Sequence, residues 1–254
     1  MRNATYGALP VLVAPSNEAL GEAAAEQFAT AVAQHVAERG EITVILATGN
    51  SQLSFIRAVV RRTDIDWSMV TVLHMDEYQG MSEHHPASFR RWMQENLLAH
   101  VTPQAFHGVR GDVEPVEEEL ERYGALVRDL DPAICVMGIG ENGHLAFNDP
   151  PADLATRELI HVVELDDACR KQQVGEGHFE SLEQAPTKAL SLTVHALLRP
   201  PTVMVLTPES RKADAVRQAL LGPVTPDCPA SVLQQAGHAR LYLDEDSAAN
   251  LPHA

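Results

Sequence analysis

Short apolar runs alternate along this chain with segments of helical spacing, and that alternation limits the folds open to it. "PVLVA", "ITVILAT", "MVTVLHM", "AICVMGI", "ELIHVVEL", "ALSLTV", "TVMVLT" and "ARLYLD" each have the length and composition of a strand. Between them lie a long alanine-rich segment from Asn17 to Glu38, with Ser16 as N-cap and Gly40 as its stop, and "QLSFIRAVVRR", where Leu53, Ile56, Val59 and Val60 share a face. "PASFRRWMQENLLAHV" reads as one helix with Pro86 in its first turn, and "VEEELERYGALVRDL" and "ESRKADAVRQALLG" read as two more. Strands that are apolar throughout are buried on both faces, which requires helices on each side of a parallel sheet. The expected fold is α/β: a doubly wound, mostly parallel sheet with helices on both faces. No linker-like break interrupts the pattern, so residues 1–254 read as a single domain.

Charge and cysteine usage narrow the functional classes. A formal net charge of −16 repels nucleic acid, and no Lys/Arg cluster offsets it. No apolar run reaches the roughly 18 residues that a membrane span needs. Pro10 and Pro15 bracket "VLVA", which reads as the first strand rather than the core of a signal peptide. Cys135, Cys169 and Cys228 are odd in number and widely separated, which argues against a disulfide framework or a thiolate zinc site and for a cytoplasmic protein.

In doubly wound folds, ligands collect beyond the carboxyl ends of the strands. Four segments there carry more chemistry than a connection requires. "LATGNS" places Thr48, Gly49, Asn50 and Ser51 at a helix start, where hydroxyls and unpaired N–H groups suit either a phosphate or an ordinary capping turn. In "HMDEYQG", Asp76 ends a strand, and Glu77 points the other way if the chain is still extended. "MGIGENGHLAFNDPP" combines Gly138, Gly140 and Gly143 with His144, the glycines permitting tight or positive-φ backbone. Asp149 lies five residues beyond His144 and could return to hold its imidazole. Finally, "TPESRKADAV" puts Arg211 and Lys212 near a helix start, against the dipole preference, a conflict that a bound anion removes.

Together "ATGNS", "MDEYQGMSEHHPASF", "GIGENGHLAFNDPP" and "RKADAV" resemble the glucosamine-6-phosphate deaminase (isomerase/deaminase) family, in order and over nearly the whole chain. The related 6-phosphogluconolactonases share the fold, but they usually follow the glycine-histidine pair with "TASLFP"-like residues where this chain has "LAFNDPP". The resemblance implies conversion of glucosamine 6-phosphate and water to fructose 6-phosphate and ammonia, with no cofactor and no metal. It implies that Asp76 moves the proton between C2 and C1, that His144 assists ring opening, and that Asp149, at the family's usual glutamate position, orients His144. Thr48, Gly49, Asn50, Ser51 and Lys212 would hold the phosphate, joined by Arg170 in "DDACRKQQ". Some members carry aspartate where Asn142 stands, which leaves Asp149 or Glu141 to orient the imidazole. Members activated by N-acetylglucosamine 6-phosphate use an arginine and a lysine shortly after this loop. Here Arg157 is followed by Leu159 and His161, so no such activation is expected. The partner implied is a small phosphorylated amino sugar, and the resemblance is compatible with a homo-oligomer.

Two readings of other classes compete. Twelve histidines, among them His74, His84, His85 and His144, prompt a metal-dependent hydrolase, but no ligand spacing such as H-E-x-x-H is present. A non-catalytic sugar-phosphate sensor would normally carry a helix-turn-helix segment ahead of the domain, whereas here the first strand begins within about ten residues of the start. Closer alternatives are a 6-phosphogluconolactonase and a deaminase for another amino sugar phosphate such as galactosamine 6-phosphate.

Overall fold

The computed structural model of the chain describes residues 1–175, 177 and 179–252, without the side chains of residues 168, 169 and 172. Cys169 therefore has its side chain outside the described residues. The chain begins with a hairpin, β1 (Arg2–Tyr6) and β2 (Leu9–Ala14). There follow α1 (Asn17–Arg39), β3 (Ile42–Leu46), α2 (Leu53–Val59), β4 (Val70–His74), β5 (Asp76–Tyr78) and α3 (Phe89–Met93). Next come β6 (Ala105–His107), α4 (Val116–Leu130), β7 (Ile134–Met137), β8 (Ile160–Glu164) and α5 (Asp167–Gly175). The last elements are β9 (Lys188–Leu192), α6 (Val194–Leu197), β10 (Thr202–Thr207), α7 (Ala213–Leu221) and β11 (Ala239–Asp244).

Eight strands form one sheet in the order β1-β2-β11-β10-β7-β3-β4-β6, parallel throughout except for β1. Alternate residues of each central strand face opposite layers, as the pleat requires. Ile45, Cys135, Met137, Val203 and Val205 pack in the layer that also holds Tyr123 and Val127 of α4 and Val216 and Leu220 of α7. Val44, Leu46, Ile134, Val136, Met204 and Leu206 pack against Leu20, Phe28 and Val32 of α1 and Phe55 and Ile56 of α2. Helices thus cover both faces, the arrangement expected from the apolar runs. Ser16 Oγ caps α1 by accepting from Ala19 N at 3.2 Å, and Gly40 stops it in the left-handed region, φ 89°. Gly21 lets α1 close on α2, since a Cβ there would lie 2.5 Å from the Ser54 carbonyl carbon.

Three expectations change. Residues Arg2–Tyr6 form a strand ahead of "VLVA", pairing antiparallel at the sheet edge; too polar to read as a buried strand, they are largely exposed. "ELIHVVEL" and "ALSLTV" do not join the parallel sheet but form a separate antiparallel one, β5-β9-β8. Pro86 is outside its helix: Ser88 is the N-cap, accepting from Arg91 N, and after Met93 the helix widens into a π turn over Gln94–Leu98.

Candidate active site

The loops that follow β3, β4, β7 and β10 are far apart in sequence but leave the same edge of adjacent or near-adjacent strands, so their first residues meet over one crevice. Thr48, Gly49, Asn50 and Ser51 line it from β3, Asp76 from β4, His144 from β7 and Lys212 from β10. Asp76 and His144 therefore share one cleft with the turn expected to take an anion.

Chain direction separates Asp76 from Glu77. Asp76 opens β5 opposite Ser191 of β9, is 7% exposed, and among the described residues its carboxyl has no side-chain partner. Burial, and then the neighbouring Glu77 charge, push its carboxyl up to about 8. Glu77 is fully buried on the other side. Its carboxylate accepts from Ser88 Oγ at 2.7 Å and from the backbone N–H groups of Phe89, Arg90 and Tyr78 at 3.1–3.2 Å, and Arg90 Nε lies 3.5 Å away. A carboxylate at the start of α3 suits the exposed N–H groups there.

His144 sits where a side chain at Gly140 would be, since a Cβ on Gly140 would overlap the imidazole ring. Gly138 is likewise bare because a Cβ would crowd Gln52 and the Leu206 carbonyl, and of the three loop glycines only Gly143 has positive φ, 86°. Imidazole Nδ1 lies 3.1 Å from Asp149 Oδ1, an ion-pair approach without the alignment of a hydrogen bond. Asn142 ties the two together: its Nδ2 donates to Asp149 Oδ1 at 3.0 Å, and its Oδ1 accepts from His144 N at 3.1 Å. With Nδ1 turned to Asp149, Nε2 is the ring nitrogen left for the crevice. The loop is pinned from below, where Asn148 Nδ2 donates to the carbonyls of Leu145 and Leu192, and Ser191 Oγ accepts from Phe147 N.

At the other end Gly49 takes φ 96°, and Asn50–Gln52 form a 3-10 turn that lines the crevice and runs directly into α2, so a helix start lies beside it. Gln52 Nε2 donates to Ser51 Oγ at 3.1 Å, leaving the serine proton for another acceptor. Lys212 is 4% exposed. Two expected members are elsewhere. Arg170, on α5, spends its guanidinium on the Leu182 and Ala185 carbonyls and on Asp167, and it does not line the crevice. Glu141 pairs with Arg211, 2.9 Å away, whereas Asp149 is the carboxylate beside the imidazole and Asn142 bridges it to the His144 backbone. Arg211, which Glu209 also holds at 2.6 Å, does line the crevice.

Sequence reasoning missed Gln52, Phe89, Phe147 and Gln173, all lining residues. Phe89 and Phe147 lie beside motif residues and could have been noticed. Gln173 had no local signal, because α5 reaches the crevice only through tertiary packing. The histidines do not converge: among the described residues no group of three or more His, Cys, Asp or Glu could hold a metal ion. His74 is a core residue whose Nε2 accepts from Val109 N at 2.7 Å, and burial lowers it to about 3.

The family described as glucosamine-6-phosphate isomerases/6-phosphogluconolactonase matches residues 15–243. The chain belongs to this family. It is 37% identical to a glucosamine-6-phosphate deaminase of Exiguobacterium sibiricum over 83% of this chain and 81% of that one. It is 31% identical to the Bacillus cytotoxicus glucosamine-6-phosphate deaminase over 93% and 87%. A solved monomeric glucosamine-6-phosphate deaminase superposes with TM-score 0.87 at 28% identity, covering 94% of this chain and 99% of that one. A 6-phosphogluconolactonase of Shewanella baltica shares the fold, with TM-score 0.76 at 19% identity over 95% and 98%. For a member of the isomerase/lactonase family, no helix among the described residues is long and apolar enough to cross a membrane.

Proposed function

We propose that the protein converts glucosamine 6-phosphate and water to fructose 6-phosphate and ammonia. The observation that carries this reading is the convergence, in one crevice, of a buried carboxyl raised toward neutrality, Asp76, with an imidazole, His144, beside the Thr48–Ser51 turn. Relatives at 31–37% identity that bear the deaminase name support the same choice. The turn, its N–H groups and Lys212 hold the phosphate monoester. His144 opens the pyranose by giving a proton to the ring oxygen as the C1 hydroxyl proton leaves. Asp76 then takes the C2 proton from the open aldehyde and returns it at C1, while the aldehyde oxygen gains the proton that the substrate ammonium group gives up. The resulting iminium at C2 is hydrolysed by water, releasing ammonia and leaving the ketose. A carboxylate near neutrality suits this step, because one group must both take and give the same proton. Asp149 and Asn142 hold the imidazole in place.

Cys135 and Cys228 are free and buried, in keeping with a reducing compartment such as the cytoplasm. The test measures ammonia and ketose formed from glucosamine 6-phosphate and galactosamine 6-phosphate beside 6-phosphogluconolactone hydrolysis, with a chelator present. Ammonia release from the glucosamine ester is the expected result. Lactone hydrolysis without ammonia from either sugar overturns the reading.

A further inference from the structure

Beside the crevice, one amide has no part in the chemistry above. Tyr78 is fully buried against Phe89, Phe147 and Phe179, with ring centroids 5.0–5.4 Å away, and its hydroxyl donates to Gln173 Oε1 at 2.6 Å. Gln173 is 6% exposed and lines the crevice from α5. Because its oxygen is occupied, the donors left on that side chain are the two Nε2 protons. Since Gln173 borders the crevice, a ligand oxygen there can accept a charge-neutral hydrogen bond from Nε2. Tyr78 is two residues from Asp76 on β5, so both side chains leave the same face, about 7 Å apart along the strand. The anchor thus ties Gln173 to the strand that carries Asp76, not to the turn after β3.

We propose that Gln173 is a specificity-determining residue, whose Nε2 donates to a hydroxyl oxygen of the sugar chain between the reacting carbons and the phosphate. Tyr78 is its positioning residue. The inference rests on reading the crevice as an amino sugar phosphate site. A donor fixed in a dry site separates sugars that present an oxygen to it from those that do not.

The test compares wild type, Gln173→Met and Tyr78→Phe by steady-state deamination of glucosamine 6-phosphate, with inorganic phosphate as competitive inhibitor. Gln173→Met keeps the length and neutrality of the side chain but removes the donor. It should lower kcat/KM roughly tenfold, the weight of one neutral hydrogen bond, while the inhibition constant of phosphate changes by less than about twofold. Tyr78→Phe leaves the donor in place but unanchored and should show the same pattern, weaker. Unchanged kcat/KM in Gln173→Met overturns the proposal, as does an equal loss for substrate and for phosphate, which would mean a phosphate contact or a collapsed site. A wild type that releases no ammonia from either amino sugar sinks the functional reading, and this inference with it. An active wild type beside an unaffected Gln173→Met sinks this inference alone.

Discussion

Asp76 and Glu77 are consecutive carboxylates on β5 that face opposite ways, one bare in the crevice and one fully buried under four donors from Tyr78, Ser88, Phe89 and Arg90. Strand alternation makes this division of labour possible: the residue that builds the start of α3 fixes the strand that presents the residue with the free carboxylate. Burial raises both carboxyls, but Glu77 is offset by its hydrogen bonds and Asp76 is not.

Asp76→Asn should lower kcat by roughly 10²–10⁴, the usual weight of a general base, with phosphate inhibition retained. In the wild type, kcat/KM should rise with pH up to about 8 as Asp76 ionises. Stability runs the other way. The folded carboxyl keeps its proton to about pH 8, whereas the unfolded one loses it near 4, so wild-type stability falls as pH rises through that window. The asparagine variant lacks this slope and should gain on the order of a few kcal/mol relative to wild type at pH 9. Urea midpoints at pH 5 and pH 9 measure the difference; parallel changes in the two proteins would contradict it.

Glu77→Gln keeps an acceptor for α3 but leaves Arg90 with a weaker partner at 9% side-chain exposure. A loss of about 2–3 kcal/mol is expected. Because the Glu77 charge is the second cause of the raised Asp76 carboxyl, the ascending limb of kcat/KM against pH should also move to lower pH. A limb that stays in place would show that Glu77 does not act on Asp76.

Gly140→Ala inserts a methyl group where the His144 ring lies. Gly140 has no positive φ, so the backbone tolerates alanine and the effect falls on the imidazole. Deamination should drop by about 10²-fold or more while the melting temperature shifts only modestly. Gly49→Ala is the contrast: nothing lies within 4 Å of its Cβ, but φ is 96°, so it should cost about 1 kcal/mol through backbone strain. Equal activity of Gly140→Ala and wild type would separate His144 from the chemistry.

His74 is neutral in the core and lowered to about 3, while the unfolded residue titrates near 6.5. The unfolded chain therefore binds the extra proton between those values, and stability should rise with pH from about 3 to 6.5. In His74→Gln that slope should flatten, even though the variant is less stable at pH 7 by about 1–3 kcal/mol for the altered packing. Denaturation midpoints at pH 4.5 and pH 7 give the comparison, and an unchanged slope would place the acid sensitivity elsewhere.

Much of this protein is legible in its sequence. Apolar runs buried on both faces dictate a covered parallel sheet, and Ser16 with Gly40 mark the ends of α1, because these are local consequences of burial and backbone sterics. Asp76, His144 and the Thr48–Ser51 turn were accessible for the same reason, each lying just past a strand. What folding alone decided was which polar groups meet: Arg170 turns to the Leu182 and Ala185 carbonyls, Glu141 to Arg211, and Gln173 of the same helix as Arg170 enters the crevice. Side-chain partners depend on how α5 and the antiparallel sheet pack across chain separations that no local pattern encodes.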